Sequence, residues 1–319
     1  MEVIKNLEVL SGKWKNPIVA IGVFDGMHLG HQAILKKIAK RARENDGTAI
    51  LLSFHPHPQK IISPGDAPPL LQTTPQRVEM LESMGIDVFI RIPFDRKLSL
   101  LTAGEFGENI LKTVGTREIH VGDNFKFGRG RLGDFATLEK MGNEYGFTLF
   151  RTETQFFRGK RISSTRIRNA IRNGQVELAG RLLNRPYEIE GTVVRGAGKG
   201  STIGYPTANL DSDNELVPPS GVYVTRVTTE SGKYQGATNI GFRPTIENNP
   251  DMGSSIETHI LGFEENLYGQ KIKVSFCTRL RDEKRFESIE ILADYIQKDI
   301  IRTRDYALKT KFLNKRTPV

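Results

Sequence analysis

Short apolar runs alternate with amphipathic segments throughout the first half of the chain. Residues 18–23 are apolar and β-branched, and the residues after the next turn place their apolar side chains at helical spacing. Capping signals at Thr74 with Pro75 and at Thr102 with Glu105 predict the starts of two later helices. Further strands are predicted at residues 49–54, 87–92, 118–121 and 147–150. Strands separated by helices indicate right-handed crossovers, so this half is predicted to be an α/β unit with a doubly wound parallel sheet.

The apolar period changes near residue 184, after a predicted helix at residues 176–183. From there, strand-like runs follow one another with short turns and almost no helix between them. These runs lie at residues 187–194, 221–228, 234–239, 256–261 and 271–280. Five or six such strands predict a small closed antiparallel β-barrel, and the apolar spacing from Ile289 to Ile300 predicts a terminal helix. The pattern therefore divides the chain into domains at residues 1–184 and 185–319.

The composition is that of a globular chain with two domains. Of its 319 residues 38% are hydrophobic, and no apolar run approaches the roughly 20 residues that a membrane-spanning helix needs. The N-terminus lacks the basic and apolar regions of a signal peptide, and the single cysteine, Cys277, cannot form an internal disulfide. We therefore expect a cytoplasmic protein without a membrane partner.

The charge balance indicates an anionic partner without identifying it. Lys and Arg number 46 against 37 Asp and Glu, which gives a formal net charge of +9. Most basic residues are interspersed with acidic ones, but one cluster has no acid between its members: Arg158, Lys160, Arg161, Arg166, Arg168 and Arg172. A nucleic-acid-binding protein would need such charge and would bind in a salt-dependent manner, whereas a protein that binds anionic nucleotides would need it equally.

The turn after the first predicted strand carries the most specific chemistry in this half. It reads FDGMHLGH over residues 24–31 and leads directly into a helix. A strand, a glycine turn and a helix place backbone N–H groups and the positive helix end beside the carboxyl edge of the sheet, where phosphate binds. Gly26 and Gly30 leave the backbone open for close approach, and His28 and His31 can reach the same anion. The alternative is a pair of surface histidines at a helix start.

Two other loops follow predicted strands of this half. Residues 121–130 combine an amide, aromatic rings and glycines, and they predict a site for a flat aromatic ligand at Asn124, Phe125 and Phe127. An ordinary glycine-rich loop is the alternative. The other loop holds His55 and His57 between prolines, where no cysteine or acid at ligand spacing joins them, so a metal site there is only an alternative.

A helix start at residues 162–168 combines hydroxyl groups with arginines. Its candidate residues are Ser164, Thr165, Arg166 and Arg168. Hydroxyls at a helix N-terminus and guanidinium groups bind phosphate oxygens, so the segment predicts a grip on a triphosphate. The alternative for this segment alone is a helix cap with solvated arginines.

The second half has a glycine-rich loop followed by polar residues. The loop residues are Gly196, Gly198, Lys199 and Gly200. Their spacing matches neither the Walker A nor the GxGxxG pattern, yet a loop with open N–H groups and a lysine can cover phosphates. Thr207 and Asn209 offer neutral oxygens to a Mg²⁺ ion that already carries phosphate ligands. Glu257 lies on a predicted strand, either as a catalytic carboxylate or as a solvent-facing side chain.

Taken together, these motifs resemble the prokaryotic family of bifunctional riboflavin kinase/FMN adenylyltransferases, also called FAD synthetases. In the first half the resemblance is carried by the HxGH turn and by the segments VGDNFKFG and ISSTRIR. In the second half it is carried by GYPTANL, NIGFRPT, ETHIL and LYGQ, so that it covers nearly the whole chain. It implies an N-terminal nucleotidyltransferase α/β domain and a C-terminal riboflavin kinase barrel with a terminal helix. One departure is His55, where the family often has an acidic residue.

The resemblance also implies roles for the candidate residues. Glu257 would act as general base on riboflavin, and Thr207 and Asn209 would hold Mg²⁺ with ATP. His28 and His31 would bind the ATP phosphates in the other domain, the 162–168 segment would hold the triphosphate, and Asn124 with its aromatic neighbours would lie near the flavin or the reacting phosphates. The basic cluster would screen the repulsion between two anionic substrates. The implied partners are riboflavin, FMN/FAD and ATP, with no nucleic acid, and self-association is possible.

Two other enzyme classes remain as alternatives. A flavin-dependent oxidoreductase would keep its flavin bound, but nothing in the chain resembles a dinucleotide fingerprint. A nucleotidyltransferase that acts on a pantetheine or nicotinamide precursor would explain the HxGH turn. It would leave Thr207, Asn209 and Glu257 without a use.

Overall fold

The computed structural model describes residues 1–5, 13–196, 200, 204–242, 254–284 and 286–314, and the side chains of 242, 254 and 310–314 are outside the description. Its contacts divide the chain into two compact units, Met1–Ser164 and Thr165–Val319. The boundary that the sequence places after residue 184 stays a prediction.

The first unit is built on a six-stranded sheet in which every pairing is parallel, in the order β1-β4-β3-β2-β5-β6. Its strands are β1 (Glu2–Ile4), β2 (Pro17–Ile21), β3 (Thr48–His55), β4 (Val88–Pro93), β5 (Glu118–Gly122) and β6 (Thr148–Thr152). A two-stranded hairpin follows, with β7 (Phe156–Phe157) and β8 (Lys160–Arg161). The predicted doubly wound parallel sheet is confirmed. Strand β1 was not predicted from the sequence, because three residues are too few to show an alternation of apolar and polar positions.

The helices of this unit connect consecutive strands. They are α1 (Leu29–Glu44), α2 (Pro58–Ile62), α3 (Thr74–Ser83), α4 (Arg96–Leu100), α5 (Ala103–Phe106, continued as a π-helix over Gly107–Lys112) and α6 (Phe135–Tyr145). The capping box of Thr102 with Glu105 is confirmed. For α3 the predicted cap was one residue late, because the hydroxyl of Thr73 accepts from the Gln76 N–H while the Gln76 side chain accepts from the Thr73 N–H.

The central strands are apolar throughout because the sheet is covered on both faces. Ile18 and Ala20 of β2 belong to one buried cluster with Leu35 and Ile38 of α1. Val19 and Ile21 belong to a second cluster, on the other face, which includes Phe106. Successive strand residues point to opposite faces, so helices on both sides need an unbroken apolar run. This packing holds the carboxyl ends of β2 and β5 in fixed positions.

A buried polar group lies between β5 and α1. The Nε2 atom of His120 is 3.2 Å from the Glu118 carboxylate, which also accepts from the Arg41 Nε and Nη2 atoms at 2.5 Å. The His120 imidazole is fully buried and stacks on the Phe150 ring at 4.7 Å. Burial lowers the pKa of His120 to about 4, although the Glu118 carboxylate acts in the opposite direction. His120 is therefore neutral in the folded protein at pH 7.

We expect the first unit to lose stability as the pH falls from 6.5 towards 4. Unfolded histidine has a pKa near 6.5, so in this window the unfolded chain binds a proton that folded His120 does not bind. The free energy of unfolding then falls by up to about 1.4 kcal/mol per pH unit from this group. Urea unfolding at a series of pH values measures it, because the single tryptophan, Trp14, packs against the core of this unit. His120→Leu should show a shallower slope; an unchanged slope would contradict the assignment.

The second unit contains a closed six-stranded barrel whose pairings are all antiparallel, in the order β10-β13-β12-β11-β14-β9. Its strands are β9 (Tyr187–Val194), β10 (Ala208–Asp211), β11 (Gly221–Thr229), β12 (Gly232–Phe242), β13 (Ser254–Ile260) and β14 (Lys271–Arg281). Its helices are α7 (Ser164–Arg172, which begins in the first unit), α8 (Val176–Leu183) and α9 (Ile289–Asn314). The predicted barrel and terminal helix are confirmed.

Along each barrel strand, successive side chains point alternately into the barrel and outwards. In β13, Ile256 and Thr258 are buried, whereas Glu257 between them is partly exposed. Inside, the Thr258 hydroxyl lies 2.9 Å from that of Thr238, which lies 2.8 Å from that of Thr225, so these buried hydroxyls satisfy one another. The period of two places Glu257 on the outer face, away from this packed interior.

Candidate active sites

The turn after β2 has a backbone that only a few residue types tolerate. The φ angles of Phe24, Gly26 and Met27 are positive, at 51°, 78° and 41°. A Cβ on Gly26 would lie 2.5 Å from the Leu71 side chain, so glycine is required both by conformation and by space. The Leu71 N–H donates to both oxygens of the buried Asp25 carboxylate, at 3.0 and 3.1 Å. These contacts fix the path of the turn before α1 begins.

His28 caps the N-terminus of α1. Its Nδ1 atom accepts from the His31 N–H at 3.3 Å, which in the neutral ring leaves the proton on Nε2. A Cβ on Gly30 would lie 3.2 Å from the His28 ring, so Gly30 makes room for it. The two imidazoles stack with their centroids 3.7 Å apart. The structure thus brings the two predicted histidines together at the helix start.

His31 is a neutral imidazole at physiological pH. Its pKa lies well below the usual 6.5 because the ring is desolvated, and because His28 and Arg77 add positive charge nearby. Its Nδ1 atom is buried and has no hydrogen-bond partner among the described residues. A neutral imidazole still carries a proton on one ring nitrogen, so His31 can donate a hydrogen bond to a phosphate oxygen at this helix N-terminus. The turn therefore combines two ring donors with the positive end of α1.

A buried arginine that was not among the predicted site residues contacts the backbone just before the turn. Arg77 of α3 is 5% exposed, and its Nη2 atom donates to the Val23 carbonyl at 2.7 Å and to the Ser53 hydroxyl at 3.0 Å. Burial lowers the pKa of Arg77 to about 10, while the Asp25 carboxylate opposes that shift. The guanidinium therefore stays charged at pH 7. Its position follows from the packing of α3 and was not visible in residues 73–83 alone.

The loop after β5 is held at its start by side chains from later in the chain. The Asp123 carboxylate accepts from the Thr154 N–H at 2.7 Å and from the Thr154 hydroxyl at 2.9 Å. The Asn124 side-chain oxygen accepts from the Arg161 guanidinium, and Asn124 is exposed. Phe127 is only 5% exposed and belongs to the core. The structure therefore gives Phe127 a packing role, and its flavin contact stays a prediction.

The remaining predicted residues of this half lie at the start of α7. The Ser164 hydroxyl donates to the Asp25 carbonyl at 2.9 Å, which joins this helix start to the turn after β2. Thr165 is exposed, Arg166 is half-buried and Arg168 is buried. The loop with His55 and His57 has a local role, because the Nδ1 atom of His57 caps α2 by accepting from the Gln59 N–H at 3.2 Å. Among the described residues no three metal-ligating side chains gather in one place.

On the outer face of the barrel, backbone register joins residues that are far apart in the sequence. Asn209 of β10 is paired with Glu257 of β13, and Glu257 is paired on its other side with Asn239 of β12. Paired residues share a face of the sheet and lie about 5 Å apart at Cβ. Asn209, Glu257 and Asn239 therefore form a row of polar side chains. Asn239 was not among the predicted site residues, although its segment NIG contributes to the family resemblance.

The glycines beside this row leave space for polar atoms. A Cβ on Gly196 would clash with the Asn209 amide, whose Oδ1 atom would be 2.6 Å away. At Gly241 it would lie 2.8 Å from Glu283 Oε1 and 3.0 Å from Ser255 Oγ. The outer face near Glu257 therefore carries oxygen and amide groups that pack close to the glycine backbone.

The segment before β10 packs against β13. The Gly200 carbonyl accepts from the Tyr205 N–H at 2.9 Å, and the Pro206 carbonyl lies 2.8 Å from the His259 Nδ1 atom. Thr207, which follows Pro206 in the chain, is half-buried. Gly198 and Lys199 lie outside the described residues, so their phosphate contact stays a prediction.

The donor atoms of the barrel site fit a magnesium ion. The Thr207 hydroxyl and the Asn209 amide provide neutral oxygens. Gly196 has no side chain, so the Asn209 amide can occupy the space beside it. Mg²⁺ prefers oxygen ligands and retains several from water and phosphate, so few protein ligands are needed.

The fold and the two sites define a transferase that uses a nucleotide, with a nucleotidyltransferase-like α/β unit and a kinase barrel. A family model described as FAD synthetase matches residues 11–166, and one described as riboflavin kinase matches residues 183–307. The bifunctional riboflavin kinase/FMN adenylyltransferase of Pseudomonas fluorescens is 36% identical over 96% of this chain and 98% of its own length. That of Escherichia coli K12 is 35% identical over 98% and 99%. The chain belongs to the family of bifunctional riboflavin kinase/FMN adenylyltransferases and is an enzyme of flavin cofactor synthesis.

A solved structure shares this fold along almost the entire chain. It is titled as a macrolide-efflux protein from Streptococcus pneumoniae, and it is 30% identical with a TM-score of 0.86 over 95% of this chain and 98% of its own. In the part of this chain that the structure describes, none of the helices is both long enough and apolar enough to cross a membrane.

Proposed function

We propose that Glu257 is the general base of the riboflavin kinase reaction. Its carboxylate would accept the proton of the riboflavin 5′-hydroxyl as that oxygen attacks the γ-phosphorus of ATP. The new P–O bond forms as the bond from the γ-phosphorus to the bridging oxygen breaks, and FMN and ADP are released. The observation that carries this proposal is the register of β10, β12 and β13, which aligns Glu257 with Asn209 and Asn239 in a row of polar side chains.

Thr207 and Asn209 are the residues that would hold magnesium in this site. A bound Mg²⁺ supplies positive charge that stabilises the developing negative charge on the phosphates. The residues of the chain orient the nucleotide, and the glycine-rich loop with Gly196, Gly198, Lys199 and Gly200 would cover its phosphates. Support comes from the neutral oxygen atoms of the Thr207 and Asn209 side chains and from the space that Gly196 leaves for the Asn209 amide.

The HxGH turn is proposed as the adenylylation site. His28 and His31 would donate hydrogen bonds to the ATP phosphates, assisted by the open backbone at Gly26 and Gly30 and by the N-terminus of α1. An oxygen of the FMN phosphate attacks the α-phosphorus of ATP, and pyrophosphate leaves as FAD forms. The attacking phosphate is already anionic, so this step needs no general base. The stacking of the two imidazoles and the neutral state of His31 support the assignment.

The start of α7 is assigned to the triphosphate of the same ATP. Ser164 is tied to the turn through the Asp25 carbonyl, and Thr165, Arg166 and Arg168 follow it in the chain. Hydroxyl and guanidinium groups bind phosphate oxygens, so we expect Arg166→Ala to raise the KM for ATP in adenylylation only. Steady-state kinetics of each half-reaction measures this; an equal rise in the kinase KM for ATP would contradict it. The proposed partners are riboflavin, FMN/FAD and ATP in the cytoplasm, without nucleic acid, and self-association stays a prediction.

Substitution of Gly196 tests the magnesium assignment. In Gly196→Ala the new methyl group would displace the Asn209 amide, so we expect a higher magnesium concentration to be needed for half-maximal riboflavin phosphorylation. The measurement is a magnesium titration of the kinase rate at fixed ATP. Gly65→Ala is the matched control, because a Cβ there meets nothing within 4 Å. An unchanged magnesium requirement in Gly196→Ala would remove Asn209 from the ion site.

The proposed function as a whole is tested by separating flavins after incubation with riboflavin, ATP and Mg²⁺. FMN followed by FAD is the expected result. FMN alone would mean that the HxGH unit does not act on FMN, and no new flavin would overturn both assignments.

A further inference from the structure

The hairpin of β7 and β8 lies near the HxGH turn after β2 and near the loop after β5. Its first residues are tied to the loop after β5, because Thr154 donates to Asp123. Gln155 lies against the start of α1, since its Cγ atom is 4.0 Å from the position of a Cβ on Gly30. The Ile162 N–H donates to the Gln155 carbonyl at 2.9 Å and closes the base of the hairpin. The hairpin is therefore fixed beside both the HxGH turn and Asn124.

The tip of the hairpin is a tight two-residue turn. Arg158 and Gly159 both have positive φ angles, 52° and 69°, as the commonest two-residue hairpin turn requires. The Arg158 guanidinium lies over the Phe157 ring at 5.5 Å from its centroid. Phe157 is thus partly covered from within the hairpin. The turn defines the register in which Phe156 is paired with Arg161.

Phe156 is the aromatic residue of this hairpin that faces solvent. Its side chain is 64% exposed, and within the described residues it has no ring or cation partner. Register partners share a face, so Phe156 stands beside Arg161, whose guanidinium donates to Asn124. By contrast, Phe127 is buried in the core and Phe125 is half-buried against it. The exposed ring next to Asn124 is therefore not one of the two that the sequence pattern favoured.

We propose that Phe156 is the stacking platform for the isoalloxazine ring of FMN during adenylylation, an inference that rests on the proposed function of this unit. An exposed aromatic ring beside an arginine suits a ligand that combines a flat ring with a phosphate. FMN has this combination, and its large ring system would cover the exposed phenyl face. The triphosphate of ATP is already assigned to the HxGH turn, and the hairpin also contacts Asn124, which lies outside that turn.

The test is the kinetics of FAD formation from FMN and ATP in Phe156 variants of the full chain. Phe156→Ala is expected to raise the KM for FMN about tenfold, the loss typical of one aromatic stacking contact, with the KM for ATP and the riboflavin kinase rate unchanged. Phe156→Trp keeps an aromatic face and should restore the KM for FMN. Phe156→Leu keeps an apolar side chain without a π-face and should not restore it. Leu132→Ala removes another exposed apolar side chain of this unit and serves as the control.

The outcomes distinguish failure of the stacking role of Phe156 from failure of the proposed adenylylation function. A wild-type chain that makes no FAD from FMN would overturn the function. If the wild type is active, an unchanged KM for FMN in Phe156→Ala, or a leucine variant equal to the tryptophan variant, would overturn the stacking platform. A rise in the KM for ATP alone would also overturn it and would assign the ring to adenine. If the alanine variant fails to fold, the comparison of leucine with tryptophan decides the question.

Discussion

Replacement of Glu257 by glutamine is expected to lower the kcat of riboflavin phosphorylation by about 10²- to 10⁴-fold, the range that a general base contributes. Glutamine has nearly the same shape as glutamate but cannot accept the hydroxyl proton. Position 257 lies on the outer face of β13 between Asn209 and Asn239, so a glutamine side chain can be accommodated there. FMN adenylylation should proceed at the wild-type rate. The two rates are measured separately by chromatography, with riboflavin or FMN as the starting flavin.

The neighbouring residue on the same strand provides a control for Glu257. His259 lies two positions along β13, on the same face, and its Nδ1 atom contacts the Pro206 carbonyl. His259→Gln tests whether any polar change on this face reduces the kinase rate. A loss of both activities in Glu257→Gln, or an equal loss of kinase activity in both variants, would argue against Glu257 as the base.

Loss of the His28 imidazole is expected to lower the rate of FMN adenylylation by about 10²- to 10³-fold, the typical effect of removing one donor that stabilises transition-state charge. FMN should then accumulate from riboflavin, because the barrel does not depend on this turn for its chemistry. The measurement is the ratio of FMN to FAD over time in the full chain. Normal FAD production would remove His28 from the reaction.

A pair of variants separates this chemical role of His28 from its role as helix cap. His28 caps α1 by accepting from the His31 N–H. His28→Ala removes both the ring and the cap, whereas asparagine is among the best capping residues. Alanine should therefore reduce the free energy of unfolding by about 1 kcal/mol relative to asparagine. Both variants should lose adenylylation to the same extent; if asparagine restored it, the ring would act only through the fold.

Much of the fold followed from local patterns. The β9 bounds, residues 187–194, and the α8 bounds, residues 176–183, are those that the periodicity predicts. The capping box at Thr102 follows from residue types three positions apart, which act within one turn of helix. The errors were also local: β1 and β10 are too short for their period to show, and the cap of α3 is Thr73 and not Thr74.

The candidate sites were predicted less completely than the fold. His28 and His31 were predicted as a pair because both lie within one helix start, and the structure stacks them. Phe127 lies in a loop whose sequence predicts a ligand site. Its ring packs in the core with its centroid 5.5 Å from that of Phe106, and its flavin contact stays a prediction. A glycine-rich sequence does not reveal which of its aromatic residues turns inward. That choice depends on the helices that cover the sheet.

The sequence by itself determined the α/β unit and the barrel, the glycine turn with its histidines, and the family to which the chain belongs. These features depend on periodicity, on backbone conformation and on motifs a few residues long. Only the tertiary structure decided that Asn239 stands beside Glu257, that Arg77 lies behind the HxGH turn, and that Phe156 presents the exposed ring. Sheet register and helix packing bring together positions that are tens of residues apart in the chain, and no local pattern encodes which of them become neighbours.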